Sequence, residues 1–126
     1  MLKAELFEII GNGENSGVEF KRDDIRPEQL AKEIVAFANL QGGRILLGVE
    51  DDGSISGLRR SNIQEWVLHV FRDKVHPQMI PFYEEVSVND GKRIGIVSVA
   101  PPGRLFRAVY RGAPSYTARP ASAEEP

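Results

Sequence analysis

Apolar residues at Leu30, Ile34, Phe37 and Ala38 recur at helical spacing between Pro27 and Gly42, which predicts a helix that packs by one face. Pro27 suits the first turn, where its missing N–H costs nothing, and Gly42 suits the stop. Before this helix, VEFK (Val18 to Lys21) alternates as a short strand does, with Glu19 and Lys21 on one face and Phe20 on the other. After it, RILLGVE is apolar at Ile45, Leu46, Leu47 and Val49, the pattern of a central strand covered on both faces. Gly48 inside that strand implies close approach of another backbone or a ligand. EDDG is turn chemistry with ISGL as its return strand. Ser61 and Gln64 have capping-box spacing, and the stripe Ile63, Trp66, Val67, Val70, Phe71 predicts a second helix from Asn62 to Lys74.

Phe82 to Val88, an NDG turn and Arg93 to Val99 read as a second hairpin, after which PPG breaks the chain and FRAVY and SYTAR form shorter strands. At the other end, Leu2 to Ile10 forms a short helix and GNGENSG a glycine-rich turn. The expected fold class is therefore α+β: a mixed β-sheet of about six strands packed with two main helices in two layers, as one domain over residues 1–126. The tail PASAEEP resembles the start of another element, so the domain is expected to belong to a longer protein.

With 126 residues, 41% of them hydrophobic, the chain can enclose a core without metal or disulfide staples. It has no cysteine, which excludes disulfides, thiolate zinc sites and cysteine nucleophiles. No apolar run approaches the roughly 20 residues needed to span a bilayer, and MLKAELFEII is too short and acidic for a signal peptide, so a cytoplasmic protein without membrane contact is expected. The net charge of -2 argues against a uniformly basic coat protein. The charge is uneven, however: every acidic residue but Glu124 and Glu125 precedes Lys92, and the segment from Lys92 to Arg119 is basic only. There Arg104, Arg107, Arg111 and Arg119 alternate with Phe106, Tyr110 and Tyr116. Guanidiniums contact phosphates and aromatic rings stack on unpaired bases, so the mixture suits DNA or RNA; an edge strand defended by charge is the plainer explanation.

Glu19 beside Lys21 has the composition of a metal-dependent phosphodiesterase site, in which a carboxylate holds Mg²⁺ or Mn²⁺ and an ammonium offsets phosphate charge. By itself the pair is equally a solvated strand face with a minor ion pair. Glu14, Asp51 and Asp52 strengthen the reading if the turns that carry them converge with Glu19 at one edge of the sheet, because gathered carboxylates need a cation between them. A surface acidic turn accounts for Asp51 and Asp52 without chemistry. Gly11, Gly13 and Gly17 lack dinucleotide-fingerprint spacing and no Gly-Lys-Ser/Thr phosphate loop occurs, so ATP binding has no support. His69 and His76 read as surface or helix-end residues.

The order of motifs, GENSGVEFKRD, then LAKEIVAFANLQGGRILLGVEDDGSISGL, then Tyr116 and Arg119 before PASAEE, resembles the Schlafen AlbA-type domain, also labelled a divergent AAA or DNA-binding domain. The resemblance implies a mixed α/β domain, often the N-terminal part of a transcription regulator with a C-terminal winged-helix region. It also implies, from the Schlafen ribonucleases, a carboxylate trio matching Glu14, Glu19 and Asp52, with Asp51 the neighbouring candidate. The leading expectation is nucleic-acid binding in a transcription regulator through Lys21, Arg22, Arg104, Arg107, Arg111 and Arg119. The alternative is an endoribonuclease with Glu14, Glu19 and Asp52 as both catalytic and Mg²⁺- or Mn²⁺-binding residues and Lys21 in support, acting as a homodimer where two lobes are needed. A protein-interaction or dimerisation module is the third expectation.

Overall fold

The structure is a computed structural model that describes residues 1–101 and the backbone of Val109 and Tyr110. Its elements are α1 (Lys3–Asn12), β1 (Val18–Lys21), α2 (Pro27–Ala38), β2 (Gly43–Leu47), α3 (Ile63–Lys74), β3 (Val75–His76), β4 (Phe82–Ser87), β5 (Arg93–Val99) and β6 (Val109–Tyr110). The main sheet has four strands in the order β1-β2-β5-β4; β1 and β2 are parallel, joined through α2, and the other pairs are antiparallel. A second ribbon pairs β3 with β6. No helix among the described residues is long and apolar enough to cross a membrane.

The α+β class and the mixed sheet agree with the sequence, but among the described residues the expected sheet of about six strands is a sheet of four with a separate ribbon of two. ISGL does not form the expected strand: Ile55 makes a single bridge to Val49, and the amides of Ser56 and Gly57 both bond to the Gly48 carbonyl, which folds the segment back on the end of β2. Of the expected C-terminal strands, only the Val109–Tyr110 backbone of FRAVY is described; SYTAR lies outside the described residues.

Both faces of β2 are covered, as its apolar run requires. Ile45 and Leu47 pack with Leu30, Ile34, Phe37 of α2 and Val67, Phe71 of α3. Leu46 points the other way, into a second cluster with Phe20, Ile94, Ile96 and the fully buried Leu6 of α1. The expected two layers thus become three, because α1 closes the face opposite α2 and α3. AFANLQGG is architectural. The amide of Gly42 bonds to the Phe37 carbonyl at 2.8 Å, and the Phe37 ring lies where a side chain on Gly43 would sit, 2.5 Å from an added Cβ. Gly48, with φ +98°, brings the chain so near Gly57 that an added Cβ would stand 2.9 Å from its carbonyl carbon. This is the close backbone approach that a glycine inside the strand implied.

The second helix begins at Ile63, but the Ser61/Gln64 capping box is not made: Asn62, in the left-handed region at φ 57°, precedes the helix with no side-chain cap. Asn tolerates that conformation better than most residues. The loop before it is anchored from a distance. Asp23 Oδ2 accepts from the amides of Arg59 at 2.6 Å and Arg60 at 2.7 Å.

Candidate nucleic-acid interface

Two groups of charged side chains gather around the parallel strands, and they differ in how much charge is left to offer a ligand. The first lies along β1, which among the described residues is an edge strand paired with β2 alone. Glu19 and Lys21 share a face there, as alternation dictates. Lys21 Nζ stands 3.5 Å from Glu19 and 3.5 Å from Glu33 of α2, a residue the sequence reading passed over. Glu14, in the turn before β1, accepts a 2.8 Å hydrogen bond from the Phe20 amide. Burial, then the facing carboxylates of Glu33 and Glu14, hold the Glu19 carboxyl above its ordinary range against the pull of Lys21. Burial alone would lower the Lys21 pKa, but Glu33 and Glu19 together outweigh it and the ammonium is held above its ordinary value. Lys21 is thus shared between two carboxylates rather than presented to phosphate.

Asp52 is elsewhere engaged. Its Oδ1 accepts from the Ser54 hydroxyl at 2.7 Å and the Ser54 amide at 2.9 Å, an Asx-type turn, and those two bonds hold its carboxyl below the usual range. Asp51 is exposed in the same turn. Among the described residues no three His, Asp or Glu side chains stand where they could share a metal ion. The described residues do not gather Glu14, Glu19 and Asp52 around one Mg²⁺ or Mn²⁺ position: Glu14 is near enough to raise the Glu19 pKa, and Asp52 is held by Ser54 in its own turn. His69 and His76 are exposed.

The second group surrounds a cleft of about 260 Å³ formed by the loop after β1 and the loop between β2 and α3, lined by Arg22, Asp23, Ser56, Arg59 and Arg60 among others. It sits beyond the carboxyl ends of the two parallel strands, the place where open α/β sheets receive ligands. Arg60 is held fixed: its guanidinium donates to the Ile25 carbonyl at 2.7 Å and stacks 4.0 Å from the centroid of Trp66. Arg22 is more than half exposed, with long ion pairs to Asp24 at 3.5 Å and Glu50 at 3.9 Å. The Arg59 side chain makes no ion pair among the described residues and is exposed. At the floor, Asp23 is 5% exposed; its Oδ1 and the Ser56 Oγ are buried with no hydrogen-bond partner among the described residues.

Of the residues expected to bind nucleic acid, Arg22 enters this cleft, Lys21 faces the carboxylates instead, and Arg104, Arg107, Arg111 and Arg119 lie outside the described residues. Arg59, Arg60, Asp23 and Glu33 were missed. For Glu33 a signal existed, since it flanks the apolar stripe of a helix that must cross back over β1; the Asp23 link to residues 36 and 37 positions away carries no local signature.

Among the solved structures that share the fold is the solution NMR structure of the N-terminal domain of a protein from Nitrosomonas europaea described as a "Putative ATP-dependent DNA Helicase RecG-related Protein". The two are 23% identical, with a TM-score of 0.68 over 99% of this chain and 94% of that one. A comparison with curated protein sequences finds no match. The profile of the family described as "Schlafen, AlbA_2" matches residues 14–112, which takes in β1, the AFANLQGG turn, the cleft and the second hairpin, and the chain belongs to that family.

Proposed function

We propose that this chain is a nucleic-acid-binding domain that seats backbone phosphate at the carboxyl ends of β1 and β2. The observation that carries the reading is the convergence of Arg22, Arg59 and Arg60 on one cleft from two loops far apart in sequence. Guanidiniums grip phosphate through paired N–H groups, and among the described residues Arg22 holds only long ion pairs and Arg59 none. The helicase-related description of the protein that shares the fold supports nucleic acid as the ligand class. A transcription regulator, in which this domain supplies nucleic-acid contacts beside a winged-helix region, is the finer form of the same reading.

The competing endonuclease assignment needs Glu14, Glu19 and Asp52 around one cation, and the described geometry does not supply that site. Binding is the reading that the arginines of the cleft support. Fluorescence anisotropy of labelled single-stranded RNA, single-stranded DNA and duplex DNA over a salt series tests it. Affinity is expected to fall with salt, with a logarithmic slope of about -0.7 per phosphate contacted on single strands. Arg22→Gln should weaken all bound ligands. No affinity for any of the three at low salt overturns the proposal.

A further inference from the structure

The cleft has an anion-binding rim and an unsatisfied floor, and the two ask for different parts of one ligand. At the rim, the Arg59 guanidinium has no ion pair among the described residues and Arg22 holds only pairs of 3.5 and 3.9 Å, so both can turn to an anionic oxygen. Arg60 cannot move freely, but its bond to Ile25 and its seat on Trp66 fix a third positive charge in place.

The floor is the opposite. Asp23 spends Oδ2 on two backbone amides and leaves Oδ1 without a donor, and the Ser56 hydroxyl in the same cleft has no partner among the described residues. A buried carboxylate oxygen without a donor is costly, and so is a buried hydroxyl. A bare phosphate would satisfy the rim and leave Oδ1 facing further negative charge. A ligand hydroxyl next to a phosphate satisfies both, because a hydroxyl donates to Asp23 Oδ1 while it accepts from the Ser56 O–H.

We infer that the cleft is a ribose-phosphate subsite, with Arg22, Arg59 and Arg60 on the phosphate and Asp23 and Ser56 on the 2′-hydroxyl, so that the domain prefers RNA to DNA. The size agrees. About 260 Å³ lies just below the roughly 300–1,000 Å³ of ordinary small-molecule pockets, room for a sugar-phosphate unit. The 2′-hydroxyl is the group by which a protein distinguishes the two nucleic acids at a given sugar. This inference rests on the nucleic-acid reading for its biological ligand, but the subsite can be tested without a strand.

Uridine 3′-monophosphate and its 2′-deoxy counterpart are titrated into the full chain, with the amide signals of Ser56, Arg59 and Arg60 followed by NMR, while strand binding is measured separately by anisotropy. The ribonucleotide should shift these amides and bind more tightly than the deoxy form by about ten-fold or more, as a hydrogen bond to a buried charged acceptor implies. Ser56→Ala, which removes only the buried hydroxyl, should lower ribonucleotide affinity and narrow that preference while leaving deoxy binding unchanged. Arg59→Gln should weaken both. On single-stranded RNA, Arg59→Gln should also reduce the salt slope by about 0.7, the loss of one phosphate contact. If strands bind but neither nucleotide moves these amides, or if ribo and deoxy forms bind equally, the subsite assignment is overturned and the nucleic-acid reading stands. If the nucleotide binds as described and no strand does, the nucleic-acid reading falls and the subsite remains.

Discussion

Glu33 of α2 stands 3.5 Å from the ammonium of Lys21 on β1, so the helix that leaves β1 returns a carboxylate to it. Lys21 then bridges Glu33 and Glu19, with Glu14 close enough to disturb Glu19. Replacing Lys21 by Met keeps the apolar stem and removes the charge. The three side chains of the pairs are only 20 to 29% exposed, between the surface case and the buried case, and the expected loss is about 1–2 kcal/mol at neutral pH. Urea unfolding checks it, and the loss should shrink in acid as the carboxylates protonate. An unchanged midpoint at neutral pH would mean that the pairs contribute nothing.

The raised pKa of Glu19 fixes the sign of its pH effect. A carboxyl that holds its proton more tightly in the folded state than in the unfolded chain favours folding most at low pH, and that contribution fades as pH rises through the folded pKa. Glu19→Gln removes the charged form, so it should stabilise the protein at neutral pH, within about 1 kcal/mol, and change little in acid. Glu33→Gln should bring the Glu19 titration midpoint down in a carboxyl NMR experiment, since Glu33 is the largest charge acting to raise it. A midpoint that stays put would leave burial and the Glu14 carboxylate as the causes.

Lys21 has the opposite partner chemistry and a different window. Its folded pKa is held above the ordinary value, so its contribution is complete below the unfolded pKa and is lost as pH rises through the folded one, in the alkaline range. Wild-type protein should therefore lose stability in alkali by more than Lys21→Met does. Parallel pH–stability curves for the two would show it, and coincident alkaline limbs would remove Lys21 as the cause.

Gly48 is expected to tolerate no side chain. Gly48→Ala combines a φ of +98° with a Cβ placed 2.9 Å from the Gly57 carbonyl carbon, where only backbone can give way. The expected cost is about 1–3 kcal/mol, read as a lowered thermal midpoint. Because Gly57 adjoins Ser56 in the cleft, the same variant should shift the Ser56 amide signal even where the protein stays folded. An unperturbed midpoint would show that the two loops part easily.

Local pattern accounts for what was legible in the sequence. The alternation in VEFK put Glu19 and Lys21 on one face, and the apolar run of RILLGVE announced a strand covered twice, because those are properties of neighbouring residues. Gly48 even signalled a close approach without naming Gly57. What failed were claims that needed a distance across the fold. Asp52 follows Glu50 and Asp51 in an acidic turn and looked available, but the Ser54 hydroxyl and amide two residues on satisfy it first. Ser61 and Gln64 had the letters of a cap, yet the carboxylate of Asp23 holds the preceding amides and Asn62 takes a left-handed turn before them. ISGL alternated too little and folded back on Gly48 as a loop.

Asp23 is the anchor on which the cleft depends. Its Oδ2 is the acceptor for two amides at 2.6 and 2.7 Å in a site that is 5% exposed, so Asp23→Ala strands both donors at once. A hydrogen bond to a charged acceptor is worth about 1.5–3 kcal/mol, and the shared oxygen makes the two less than additive, so a loss of about 2–4 kcal/mol is expected. Asp23→Asn keeps a neutral acceptor for the amides and should fall between wild type and alanine. Stability alone would not locate the effect, because any core defect lowers it. Hydrogen exchange does: the amides of Arg59 and Arg60 should lose protection in Asp23→Ala while that of Leu46, in the middle of β2, changes only with global stability. Equal changes at all three would mean that Asp23 supports the whole domain rather than the loop, and the two arginines would then owe their convergence to the Ile25 and Trp66 contacts of Arg60 instead.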